Sequence, residues 1–236
     1  MRTTAASVPL LALLALALVG CGPTPGDPPV SPPPSSPTTP APTGGGDDED
    51  PEEPVDPLTT VTRILITADD VFFGDEVAWA VDGFYYTDDP ELVRGKLTRV
   101  FGAEPTVIAD PGSLETPPAQ IYDWGGFRLG VPETDRPRGY YTSLWVNASS
   151  ATVHGVQVHT VHDIRVGTPL ADALPYSSAT MDWDGGTGLE LDPKPVSAEE
   201  IGEDPVTWID LNVHVSAWAP GDVITELTAP ARNFGS

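Results

Sequence analysis

The chain has 236 residues and is strongly acidic, with 35 aspartate and glutamate residues against 11 lysine and arginine residues and a net charge of −24 at pH 7. A surface with this charge repels nucleic acids and other polyanions, so nucleic acid is excluded as an expected partner. The chain has a single cysteine, which excludes an intramolecular disulfide.

The first twenty residues have the pattern of a secretory signal peptide. Arg2 gives a positive start, and an uncharged apolar run of twelve residues follows from Val8 to Val19. Such a run is too short for a permanent membrane span, which needs about 20 residues. It ends in Leu18-Val19-Gly20-Cys21, which resembles the bacterial lipobox. The resemblance implies a lipid anchor on Cys21 and predicts a protein held at the extracytoplasmic face of the cell membrane.

Residues 21–60 are predicted to form a disordered stalk that begins at the lipidated cysteine. The segment is rich in proline and then in acid, ending in the run "DDEDPEEPVDP" at 47–57. A segment with so few apolar side chains cannot bury enough surface to offset its ordering entropy. In a polyproline conformation it would rise about 3.1 Å per residue and reach roughly 100 Å. It is therefore expected to carry residues 61–236, the extracytoplasmic domain, away from the membrane.

Strand patterns dominate the domain and are interrupted by two predicted helices. The pair Asp82-Gly83 stands between "VAWAV" and "FYY" and predicts a two-residue hairpin turn. A long helix is predicted to begin at Asp89-Pro90 and to end at Gly102, with a second, shorter helix from Thr168-Pro169 to just before Pro175. The long helix is expected to bury one apolar face, made of Leu92, Val93, Leu97, Val100 and Phe101. We predict an α+β fold in which one or two helices lie on one face of an antiparallel sheet.

Three pairs of segments recur in the same order and predict a degenerate tandem repeat of about 61–155 and 156–236. The matched segments are "ITADDVFFG" (66–74) with "HTVHDIRVG" (159–167), "YDWGG" (122–126) with "MDWDGG" (181–186), and "SATVHG" (150–155) with "SAWAPG" (216–221). His159 and His162 correspond to Ile66 and Asp69 in the first copy, so the element does not need histidines. No metal site is predicted there, and both histidines are expected to face solvent.

The segment "IRVGTPLADAL" (164–174) resembles the glycine-led helix start of two bacterial families. One is the small lipoprotein component of the outer-membrane assembly machine, and the other is the tandem-repeat β-lactamase inhibitory protein. The resemblance implies helix-plus-sheet units and, for the inhibitory family, a sheet face that grips a target protein. The chain also resembles the secreted lipoproteins of high-GC Gram-positive bacteria.

The clearest strand is "VTWIDLNVHV" at 206–215, because its apolar and polar residues alternate strictly. Alternation places four residues on one face: Trp208, Asp210, Asn212 and His214. Trp218 continues the same row. A neighbouring strand in matching register would add Trp145 and Asn147 to this face. Aromatic anchors among hydrogen-bonding groups are enriched at protein interfaces. These seven residues form the predicted partner-binding site. The alternative is that loops or the other repeat cover the tryptophans.

No nucleophile elbow, phosphate-binding glycine loop or zinc-protease helix occurs in the sequence. We therefore predict no catalytic residues, no cofactor and no enzyme activity. The leading hypothesis is a non-enzymatic lipoprotein that binds an envelope or surface protein through the aromatic sheet face. The alternative is an accessory lipoprotein that binds a small molecule or a cation, which would need a concave pocket instead.

Overall fold

The computed structural model describes residues 55–78, 80–113, 116–133, 142–183, 185–196 and 212–233. Cys21 and the predicted stalk up to residue 54 lie outside these ranges, as do Trp208 and Asp210 of the predicted site. Within the described ranges, none of the helices has the length and apolar character needed to cross a bilayer.

The described chain is built from thirteen strands and two α-helices, as an α+β fold. The strands are β1 (Arg63–Ile66), β2 (Asp70–Gly74), β3 (Asp82–Tyr85), β4 (Thr106–Asp110), β5 (Ala119–Asp123), β6 (Phe127–Pro132), β7 (Trp145–Ala148), β8 (Thr152–Val153), β9 (Val156–Thr160), β10 (Ser177–Trp183), β11 (Gly186–Pro195), β12 (Asn212–Ala219) and β13 (Glu226–Asn233). The helices are α1 (Pro90–Phe101) and α2 (Leu170–Ala173), with short 3-10 turns at Pro57–Thr60 and Leu174–Tyr176.

The strands form two sheets. The smaller has the order β3-β2-β1-β9-β8, in which β1 and β9 are parallel and the other pairs are antiparallel. The larger has the order β10-β11-β12-β13-β7-β6-β5-β4 and is antiparallel throughout. Two meanders of four consecutive strands, β4–β7 and β10–β13, therefore make up the large sheet, and they meet where β7 pairs with β13. A tandem repeat would produce this order, and the repeat itself stays a prediction.

The long helix α1 has the ends that the sequence predicts. Asp89 Oδ1 accepts a hydrogen bond from the Glu91 amide at 2.9 Å, and Pro90 occupies the first turn. Gly102 ends the helix in the left-handed region, at φ 62°, where a side chain would be strained. Four of the five predicted apolar residues are buried, but Leu92 is 68% exposed, so its inclusion in the buried face was wrong.

One continuous apolar core joins α1 to the inner faces of both sheets. At the end of the helix, the Phe101 ring centroid lies 5.6 Å from that of Trp124 and 5.4 Å from that of Phe127 in the large sheet. Leu58, which precedes the predicted domain start at 61, is 3% exposed and belongs to the same core. The packed domain thus begins by residue 57.

The prediction of a hairpin turn at Asp82-Gly83 was wrong. Both residues lie in β3, where Gly83 is paired with Phe72, and the connection from β2 runs through residues 75–81. Asp75 shapes that connection, since its Oδ1 accepts from the amides of Val77 at 2.7 Å and Ala78 at 2.5 Å. Position 83 needs glycine because β3 lies very close to β2 there. A Cβ on residue 83 would stand 2.5 Å from the Val71 carbonyl oxygen.

The prediction of two solvent-facing histidines holds only for His162. Strand β9 does direct His159 to the face opposite Val158, as alternation predicts, but His159 is only 9% exposed. Its Nδ1 lies 3.0 Å from the Thr160 carbonyl oxygen. His162 is exposed and stacks on Tyr176, with ring centroids 4.6 Å apart. The same face of β9 is exposed at Gln157, but His159 is covered at its own position, where β9 is an inner strand and pairs it with Leu65 of β1.

Candidate binding face

The face of the large sheet opposite the core carries the described part of the predicted site; we call it the outer face. Directly paired residues of neighbouring strands point to the same side, so the register assigns each residue to a face. One row across the strands contains Met181, Gly188, Trp218 and Glu226. A second row contains Glu190, Ser216, Thr228, Asn147, Arg128 and Asp123.

Each described tryptophan of the outer face lies over a glycine of a neighbouring strand. A Cβ built on Gly130 would stand 2.0 Å from the Trp145 ring, and one on Gly188 would stand 2.7 Å from the Trp183 ring. A Cβ on Gly186 would likewise stand 2.7 Å from Trp218 Cζ2. The missing side chains leave room for the indoles to approach the backbone of the neighbouring strand closely.

Trp183 and Trp218 form an aromatic pair at one corner of this face. Their ring centroids are 5.6 Å apart and their planes are inclined by 41°. Trp183 is 54% exposed, and Met181, two residues earlier on the same face of β10, is 41% exposed. Trp218 is partly exposed. Large aromatic and sulfur-containing side chains left in solvent together are typical of contact surfaces.

Hydrogen bonds of ordinary length hold part of the polar row in place. Asn147 Nδ2 donates to Thr228 Oγ1 at 2.9 Å, which links β7 to β13 at the join between the two meanders. Arg128 Nε donates to Asp123 Oδ2 at 2.9 Å. This guanidinium, together with the Gly125 and Gly126 amides, holds the pKa of Asp123 below its usual value, although partial burial works in the opposite direction. The row is therefore a pre-ordered surface and not a set of loose side chains.

Two buried ionisable groups lie on the outer face where the second row crosses β11 and β12. Glu190 and His214 are each 3% exposed. Burial lowers the pKa of His214, and the nearby Glu190 carboxylate opposes that shift. His214 Nδ1 lies 2.9 Å from Asn212 Oδ1. An imidazole in this setting stays neutral at pH values where a free histidine has begun to protonate.

This shift predicts that the domain loses stability as the pH falls from 7.5 to 5.5. The unfolded chain binds a proton on this residue near pH 6.5 and the folded chain binds it only at lower pH, so acidification favours unfolding across that window. One proton can contribute at most about 1.4 kcal/mol per pH unit. Urea unfolding of wild type and His214→Gln at both pH values measures the effect. An equal loss in the two proteins would contradict the assignment to His214.

The structure brings five of the seven predicted binding residues onto one face: Trp145, Asn147, Asn212, His214 and Trp218. Their exposure differs from the expectation of an open polar row. Asn147 is 7% exposed and His214 is 3% exposed, whereas Trp145 and Trp218 are partly exposed. The tryptophans, more than the polar residues, are thus available for contact.

Sequence reasoning missed Trp183, Glu190 and Glu226. Trp183 lies in the segment "MDWDGG", which contributes to the sequence predictions only as one half of a repeated pair. Alternation along β10 would have grouped it with Met181, two residues earlier. Glu190 and Glu226 carry no local signal, because only the strand register places them beside Ser216 and Trp218.

A cavity of about 430 Å³ lies elsewhere, beside β2 and the edge strand β3. Its walls include Asp70, Asp82, Asp88, Lys96, Phe72 and Tyr85. Lys96 Nζ is held by Asp82 Oδ1 at 2.8 Å and by the Gly83 carbonyl oxygen at 2.7 Å. Throughout the described residues, no group of three histidine, cysteine or acidic side chains is placed to hold a metal ion.

Comparison with known proteins finds no match to the chain among protein-family models, curated proteins or solved structures.

Proposed function

We propose that the protein is a lipid-anchored binding module of the cell surface, which holds a protein or envelope partner against the outer face of its large sheet. The anchor is the lipid that the lipobox-like segment at Cys21 would receive. Two or three acyl chains give a durable anchor, because each buried CH₂ contributes about 0.8 kcal/mol. The function of the domain would then be binding and not catalysis.

The observation that carries this proposal is the tryptophan pair of the outer face. Exposed tryptophans are costly to leave in water and are among the commonest energetic centres of protein interfaces. Trp183 and Trp218 are held side by side over glycines, so little side-chain entropy remains to be lost on binding. A rigid aromatic surface of this kind favours a specific partner.

The proposal predicts that Trp183→Ala/Trp218→Ala removes partner capture. The full-length chain with a C-terminal affinity tag would be expressed in its bacterial host, solubilised with its anchor, and used to recover envelope components for mass spectrometry. Loss of one interface anchor costs about 2 kcal/mol or more, so recovery is expected to fall at least tenfold. Tyr85→Ala is the matched control, since Tyr85 is 60% exposed but belongs to the small sheet.

Equal recovery by wild type and the double variant would overturn the proposed face. Circular dichroism of both proteins guards against a loss caused by misfolding. If recovery is instead lost in the Tyr85→Ala control, the contact surface lies at the small sheet, next to the 430 Å³ cavity.

A further inference from the structure

Two acids accompany the tryptophan pair at this end of the large sheet. We call Trp183, Trp218 and the acids Glu226 and Asp222 the Trp corner. Glu226 is paired directly with Trp218 across β12 and β13, so the two side chains share the outer face. Asp222 lies in the turn that follows β12 and is exposed. Asp182 precedes Trp183 in β10 and by alternation points to the opposite side of the sheet, where its Oδ1 accepts from Thr187 Oγ1 at 2.8 Å.

Positive charge is kept away from this corner in the described part of the second meander. The basic residues of its strands are Lys194 and Arg232, which stand at the far ends of β11 and β13. They are five to eight residues along the strands from the levels of the two tryptophans, or roughly 16–26 Å. Both also have partners there, since Lys194 Nζ lies 3.5 Å from Asp69 Oδ1 and Arg232 donates to Thr142.

An indole surface attracts a cation through the negative face of its ring, and neighbouring carboxylates add to that attraction. Guanidinium groups gain most, because they are planar and weakly hydrated and can stack on the ring while donating to a carboxylate. An anionic partner would be repelled here, and a lysine ammonium, which is more strongly hydrated, would gain less than a guanidinium. The charge distribution of the corner is therefore complementary to an arginine-bearing segment.

We infer that the Trp corner binds an arginine-bearing basic segment of a partner protein, with a guanidinium on the Trp183–Trp218 pair and a hydrogen bond to Glu226. This inference rests on the proposed function, because it names the partner chemistry of the same face.

Calorimetric titration of the full, lipidated chain in neutral detergent tests the inference. The probe is acetyl-Gly-Arg-Gly-Arg-Gly-amide, and the matched peptide carries citrulline, a neutral analogue of the same shape, in place of both arginines. Trp183→Ala is expected to weaken arginine-peptide binding roughly 2- to 30-fold, and Glu226→Gln by a similar factor. Trp183→Phe should keep most of the affinity, since it keeps an aromatic face. Tyr85→Ala and Glu104→Gln are the controls, being an exposed aromatic and an exposed acid away from the corner.

Three results would overturn the inference. The first is no binding of the arginine peptide at millimolar concentration, and the second is equal binding of the citrulline peptide. The third is binding that Glu104→Gln weakens as much as Glu226→Gln does, which indicates general attraction to an acidic protein.

A tetramer of N-acetylglucosamine is titrated in parallel. If it binds at Trp183 and the arginine peptide does not, the corner is a saccharide site and the inference is wrong.

These outcomes are separable from the failure of the proposed function. Capture of a partner that Trp183→Ala/Trp218→Ala abolishes, without arginine-peptide binding, leaves the binding face intact and removes only the basic partner. If no partner is captured and the arginine peptide does not bind, both the binding face and the basic partner are wrong.

Discussion

Phe101→Ala is expected to lower the free energy of unfolding by about 3–5 kcal/mol, the usual cost of removing a buried phenylalanine ring. Phe101 is 4% exposed and sits where the end of α1 meets the large sheet. Its ring centroid is within 6.1 Å of those of Trp124, Phe127 and His154. Alanine would leave a cavity among these three rings, since the surrounding sheet and helix backbones cannot close it.

Thermal unfolding followed by circular dichroism measures the effect, and a midpoint lowered by roughly 6–20 °C is expected for a domain of this size. Leu92→Ala is the matched control in the same helix, because Leu92 is 68% exposed and its truncation should change stability by less than about 0.5 kcal/mol. Similar losses in the two variants would show that the described core contact does not carry the stability assigned to it.

Cys21→Ser is expected to abolish lipid attachment completely. Cys21 is the only cysteine in the chain, so no other thiol can form the thioether bond to the lipid. Growth of the bacterial host with labelled palmitate, followed by purification of the full chain, measures the result directly. The label should be present in the wild type and at background in the variant.

Ser35→Ala is the control for this experiment, because it changes the same proline-rich segment and leaves the cysteine in place. It should take up label as the wild type does. A wild-type protein without label, or a Cys21→Ser protein that keeps it, would refute the lipoprotein hypothesis while leaving the domain and its outer face unaffected.

The features that could be predicted from the sequence are those with local causes. The start of α1 at Asp89-Pro90 and its end at Gly102 depend on hydrogen bonds within one helical turn, and both are confirmed. Strand alternation through Val213 and Val215 is confirmed as well, since both are fully buried on the core side of β12. The row that includes His214 and Trp218 follows from the same local period.

The features that sequence reasoning missed depend on contacts between distant segments. Gly83 has the local appearance of a turn residue, but its neighbour in β2 determines that it lies in a strand. The burial of His159 follows from the parallel pairing of β9 with β1, which joins residues more than ninety positions apart. The Trp corner likewise exists only because β10, β11 and β12 are in one register.

The position of β1 has a mechanical consequence if the chain is anchored at Cys21, as we propose. Tension transmitted along the chain enters the domain at Pro57 and reaches β1, which is hydrogen-bonded to β2 on one side and to β9 on the other. Two ladders must therefore rupture before the first strand can be extracted, whereas an edge strand would peel from one. A partner that pulled on the large sheet would then load the small sheet at β1, an inner strand with a hydrogen-bonded ladder on each side.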